Sequence, residues 1–166
     1  MSGLYWAMNA AFPTTAAPVK MTTGTAIKTL LQVATPSNQD IHVVEWGISF
    51  DGSAAATPIE CELVDTGAVG AATLTSLTPE LYSADAQAAS LCVGGTGATG
   101  FNSGSSTEGT TTVTRYGDLQ LIAPTNQYVK QWPLGREFYV PVSHFLRVRV
   151  TAAAAVNAYC YIIWQE

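Results

Sequence analysis

The 166-residue chain is long enough for one domain with a substantial core. Charged residues make up 11% of it, against roughly 25% in an average globular domain, while hydrophobic residues reach 48%. A net charge of −5 excludes the basic footprint of a nucleic-acid binder, and no run approaches the ~20 apolar residues of a membrane-spanning helix. So few charges point to a surface covered by neighbouring subunits, with a neutral, hydroxyl-rich surface as the competing explanation.

Residues 1–22 read as an arm rich in Ala, Thr and Pro that carries Leu4, Tyr5, Trp6, Met8 and Phe12. Its start has no positive n-region, and its apolar stretch is too short for a secretory leader. Left exposed, this cluster is association-prone, so these five residues are the expected partner contacts. Folding back on the chain's own sheet is the alternative. Ala26–Ala34 fits helix or strand by periodicity, and the Pro36-Ser37-Asn38 turn leading straight into Ile41–Phe50 favours a strand.

His42–Thr66 reads as an antiparallel hairpin. Val44, Trp46, Ile48 and Phe50 share one side of its first strand, and Ile59, Cys61 and Leu63 share one side of its second. Glu60 and Glu62 are left facing out. Asp51-Gly52 opens the turn, and Pro58 starts the returning strand.

Residues 67–112 form one long excursion. Within it, Thr78-Pro79-Glu80 has helix-start chemistry and predicts a short helix to Ser90. Gly94–Thr112 is nearly all Gly, Thr, Ser and Ala, with Glu108 its one charge and Phe101 its one aromatic residue. With no lysine and no helix behind it, this stretch is a surface loop and not a phosphate cradle. Strand patterns resume at Thr112–Tyr116, Gln127–Trp132, Glu137–Val142, Phe145–Ala152 and Val156–Trp164. The last is apolar on both faces, as a strand covered on both sides would be. Together these predict an all-β fold: a single antiparallel β-sandwich, jelly-roll-like, of about eight strands over residues 23–166.

No catalytic, cofactor or metal motif emerges. His42 with Asp40, and His144 with Ser143, name a triad on paper, but no nucleophile elbow accompanies them, and strand-end polar residues are the simpler reading. Glu60 and Glu62 fit a solvated strand face better than a glycosidase pair. Cys61, Cys92 and Cys160 cannot all pair within one chain and lack metal-ligand spacing, so reduced thiols are expected. Trp46 and Trp164 suit the core, leaving Trp132, with Phe101, as candidates for a sugar-reading surface. Arg147 and Arg149 alternate with Leu146, Val148 and Val150. They read as a solvated strand face or as a subunit salt bridge to an acidic strand such as Glu60/Glu62.

The ordered pattern Thr25-x-x-Lys28-Thr29-Leu30-Leu31-Gln32-Val33, Glu45-Trp46-Gly47-Ile48-Ser49-Phe50-Asp51-Gly52, Pro133-Leu134-Gly135-Arg136-Glu137, Leu146–Ala152 and Ala155–Tyr159 resembles small β-rich virion proteins of tailed bacteriophages. These are decoration or cement subunits that sit beside the major capsid protein. The resemblance implies a non-enzymatic homo-oligomer, trimeric by preference, on the capsid surface and assembled in the host cytoplasm. It implies no cofactor and no catalytic residue. A fibre-head or lectin-like module that reads host glycans is the alternative, and a small β-sandwich hydrolase is the remote one.

Overall fold

The computed structural model describes residues 3–10, 14–53, 55–71, 75–82, 88–96, 108–109, 111 and 115–166. Among them are thirteen strands and no helix, in two antiparallel sheets packed face to face. Sheet A runs β10 (Gln127–Gln131), β4 (Ile41–Phe50), β13 (Asn157–Gln165), β1 (Leu4–Met8) and β7 (Glu80–Leu81). In the same sheet β11 (Phe138–Val140) pairs with β4, and β2 (Met21–Thr22) pairs with β13. Sheet B runs β6 (Thr75–Leu77), β8 (Val93–Thr96), β3 (Lys28–Ala34), β12 (Phe145–Thr151), β5 (Ile59–Asp65) and β9 (Arg115–Ile122). One core joins the sheets, with Trp46, Ile162 and Trp164 from A meeting Leu63, Leu146 and Val148 from B. The all-β sandwich is as expected, with more strands than the expected eight.

Several expectations need correction. The stretch His42–Thr66 is not a hairpin, because β4 belongs to sheet A and β5 to sheet B. Its turn is a corner between layers. Gly52 serves there as a packing site, since a Cβ would come within 2.8 Å of both Pro124 and Val156. The alternation in β4 also breaks. Ile163 pairs with Glu45 but Trp164 with Val43, so Val44 is bulged out of register and Ile41 and Val43 take the core side in its place. Finally, the predicted helix is absent from residues 78–82 and 88–90, where β7 forms instead, and residues 83–87 lie outside the described set.

Arg147 and Arg149 do not face solvent. Both are buried on the outer side of sheet B. Arg149 stands opposite Glu62 across the β12–β5 ladder and forms an ion pair with it, so the pair lies within one chain and Glu62 faces a partner instead of water. Arg147 donates from Nε to Thr66 Oγ1 at 2.9 Å and from Nη1 to the Glu108 carbonyl at 2.9 Å and carboxylate at 3.2 Å. Glu108 also accepts from the Thr29 amide and hydroxyl, both at 2.6 Å. Thr29 lies two residues beyond Leu31, where the described pairing of β3 with β8 ends, and Glu108 satisfies its amide. Burial and the neighbouring Arg149 push the Arg147 guanidinium down to about 10, which leaves it charged at neutral pH.

The Glu108 carboxylate thus pegs this point of the long excursion to sheet B. A second tie comes from the Ala71 amide, which donates to Gln32 Oε1 at 2.8 Å. Buried charges of this kind are strongly coupled, and removing one partner costs about 3 kcal/mol because the other stays desolvated. Glu108→Gln is therefore expected to lower stability by about that amount. Urea unfolding measures it, and faster hydrogen exchange at Ala71 would locate the loosening in the excursion.

The strand β9 carries the opposite surprise. Leu119 and Leu121 point outward, and Asp118 points in, 7% exposed. Trp46 Nε1 donates to Asp118 at 3.2 Å, Tyr128 Oη at 2.8 Å, and Lys130 lies 3.3 Å away. Burial raises the Asp118 pKa, but hydrogen bonds from Gln120, Tyr128 and Trp46 together with the Lys130 charge outweigh it, and the net shift is downward. Burial, then the Asp118 carboxylate, push the Tyr128 phenol from its ordinary 10.0 up to about 12. Above pH 10 the unfolded chain loses this proton while the folded one keeps it, so stability falls as pH rises toward 12. Tyr128→Phe should flatten that part of the stability–pH profile relative to the parent protein, as read by urea midpoints from pH 8 to 12.

Candidate interaction surface

The two outer faces of the sandwich differ. On sheet B, Val69 and Glu108 from the chain's own excursion cap the buried Arg147. On sheet A no described segment plays that part across the middle of the face, and the side chains there follow from ladder register. In β1, Tyr5 and Ala7 are buried while Leu4, Trp6 and Met8 are half-exposed on the other side. Glu80 is in register with Trp6, Trp6 with Ile163, Ile163 with Glu45, and Glu45 with Gln131, which makes one row across five strands. The next row is Met8, Tyr161, Gly47 and Val129, and a third holds Tyr159, Ser49 and Gln127.

Glycine at position 47 shapes this face. A Cβ there would lie 2.6 Å from the Tyr161 ring, which rests flat on the bare backbone and buries it. The Tyr161 hydroxyl donates to Glu45, and so does the Gln131 side-chain amide. Burial, then Glu45, raise the Tyr161 phenol well above its ordinary range.

Three hollows open on this face. The largest, about 500 Å³, lies between Trp6, Met8 and Tyr159 and the segment Thr14–Pro18. That segment is anchored where the Tyr159 hydroxyl donates to the Pro18 carbonyl at 3.0 Å and where Lys20 meets Asp51 at 2.6 Å. A second hollow of about 300 Å³ is bounded by Leu4, Glu45, Tyr82, Gln131 and Trp132. The third, about 100 Å³, sits among Met8, Val129, Tyr159 and Tyr161. No lysine or arginine lines any of the three.

The sequence-derived contact residues separate by parity. Leu4, Trp6 and Met8 lie on this face. Tyr5 does not, since it is 4% exposed, stacked on Trp164 at 6.4 Å and donating its hydroxyl to the Ala88 carbonyl at 2.7 Å. Residues 4–8 are therefore a strand of the sheet and not a free arm. Phe12 and Phe101 lie outside the described residues. Trp132 packs on Phe138 at 6.3 Å with Lys130 over its ring at 5.1 Å, so it contributes an edge to the face and not an open platform.

The paper triad comes apart. His144 Nδ1 sits 2.9 Å from Asp65, a buried carboxylate that also meets Arg115 at 3.1 Å and the Gly67 amide at 2.9 Å. His42 lines a separate hollow of about 490 Å³ with Asp40 and Glu137, and packs edge-on against Tyr139. Among the described residues no group of three or more His, Cys, Asp and Glu side chains has metal-holding geometry. The three cysteines are free and buried, and burial pushes the Cys61 thiol up to about 12.

Gly47→Ala is expected to lift the Tyr161 ring and break its hydrogen bond to Glu45, at a cost of about 1 kcal/mol. Tyr161→Phe removes the same bond, so a double-mutant cycle should show the two losses to be non-additive. Comparison with protein-family models, curated proteins and solved structures finds no match for this chain.

Proposed function

We propose that this chain is a non-enzymatic virion structural subunit of a tailed bacteriophage, a capsid decoration or cement protein. It binds the major capsid protein lattice through the outer face of sheet A and acts as a homo-oligomer, a trimer by preference, on the capsid surface. The observation that carries this reading is the aromatic, cation-free outer face built by Trp6, Met8, Tyr159 and Tyr161. A mostly aromatic and apolar face with three hollows and a few polar groups suits a protein partner. The low charge content and the resemblance to phage virion proteins support the same reading. Each subunit would contribute a modest contact, and repetition over a lattice would convert many such contacts into resistance to internal pressure.

Deleting the N-terminal residues would be a poor test, since β1 carries Tyr5 and Ala7 into the core. Trp6→Ala combined with Met8→Ala keeps the strand and strips its outer side. This variant is expected to bind purified heads lacking the subunit at least about tenfold more weakly, the scale of losing an interface hot spot. Undiminished binding by a cooperatively folded double variant would remove the face from the docking role.

A further inference from the structure

Glu45 places a carboxylate in the middle of the outer face of sheet A, and the exposed Glu80, in register with Trp6, places a second at its β7 edge. The Glu45 carboxylate lines the hollow of about 300 Å³ with Leu4, Tyr82, Gln131, Trp132 and Ile163. Both of its donors, the Tyr161 hydroxyl and the Gln131 amide, are neutral. Glu45 takes part in none of the ion pairs among the described residues. The chain's own cations are mostly committed elsewhere: Lys20 to Asp51, Arg115 to Asp65, Lys130 to Asp118, Arg147 to Glu108 and Arg149 to Glu62. Lys28 donates to the Thr22 carbonyl.

A carboxylate in a hollow partly walled by Leu4, Val44 and Ile163 attracts a cation more strongly than one in open water. Two neutral donors leave it further acceptor sites. Tyr82, 56% exposed, stands at the rim and meets Trp6 edge-on at 6.4 Å, so aromatic surface lies beside the charge. Guanidinium matches that combination better than ammonium does, because it is planar, weakly hydrated, able to stack on a ring and able to bind a carboxylate through two N–H groups. A neutral sugar would leave the charge without a counterpart.

We propose that this hollow receives an arginine side chain from the partner protein that docks on the outer face of sheet A. The inference rests on the docking reading of that face and names the chemistry of what docks.

Two small probes test it on the intact protein, N-acetyl-arginine amide and its neutral isostere N-acetyl-citrulline amide, titrated by NMR. The arginine probe should shift the amides of Glu45 and Gln131 and bind at least about fivefold more tightly than citrulline. Glu45→Gln should remove that preference. Tyr82→Ala, a change at an exposed rim position, should weaken arginine binding while leaving the fold intact by thermal unfolding. Equal responses to the two probes, shifts that map elsewhere, no saturable response, or insensitivity to Glu45→Gln would each overturn the arginine pocket. Such a failure in a protein that still binds heads through Trp6 and Met8 overturns this inference alone, whereas loss of the Trp6/Met8 dependence strikes the docking reading itself.

Discussion

Much of this molecule depends on one buried pair, Arg147 with Glu108. Arg147 is fully buried in the middle of sheet B, and its only stable surroundings are ones that supply acceptors to every side of the guanidinium. Thr66, Val69 and Glu108 supply them, and two of the three belong to the excursion that follows β5. The charge therefore dictates where the excursion goes. Desolvation makes the alternative, an uncovered face with an unpaired partner, expensive enough to exclude.

The result is a sandwich with unequal outer surfaces. On sheet B, Val69 and Glu108 of the chain's own excursion cap Arg147. Sheet A presents an aromatic outer surface among the described residues, because β1 and β13 run side by side and place Trp6, Met8, Tyr159 and Tyr161 together. Gly47 lets the Tyr161 ring lie down on the sheet and directs its hydroxyl to Glu45. These features are local in space and distant in sequence, with β1 at one end of the chain and β13 at the other.

Pattern reading succeeded where burial follows polarity. Lys28–Ala34, Ile41–Phe50, Phe145–Thr151 and Asn157–Gln165 alternate or run apolar in the ordinary way, and each is a strand. It failed where polarity was inverted. The strand β9 hides Asp118 and shows Leu119 and Leu121, so its period has the wrong sign for a core strand. Arg147, Arg149 and Glu62 failed for the same reason, because a charge buried by its partner reads in sequence like a solvated one. Val44 shows a different limit. One bulged residue reverses the facing of everything before it, and only the pairing with Ile163 and Trp164 reveals the bulge.

The sequence by itself determined an antiparallel β-sandwich and the strands at its centre, because side-chain period and turn chemistry are local properties. It also pointed to Leu4, Tyr5, Trp6, Met8 and Phe12 as expected contacts, without showing which of them turn outward. Tertiary structure alone decided that His42–Thr66 spans two layers, that Tyr5 turns inward, and that Glu108 pairs with Arg147. Each of those outcomes depends on which distant strand lies alongside, and ladder register between remote segments is settled by packing and desolvation across the whole core.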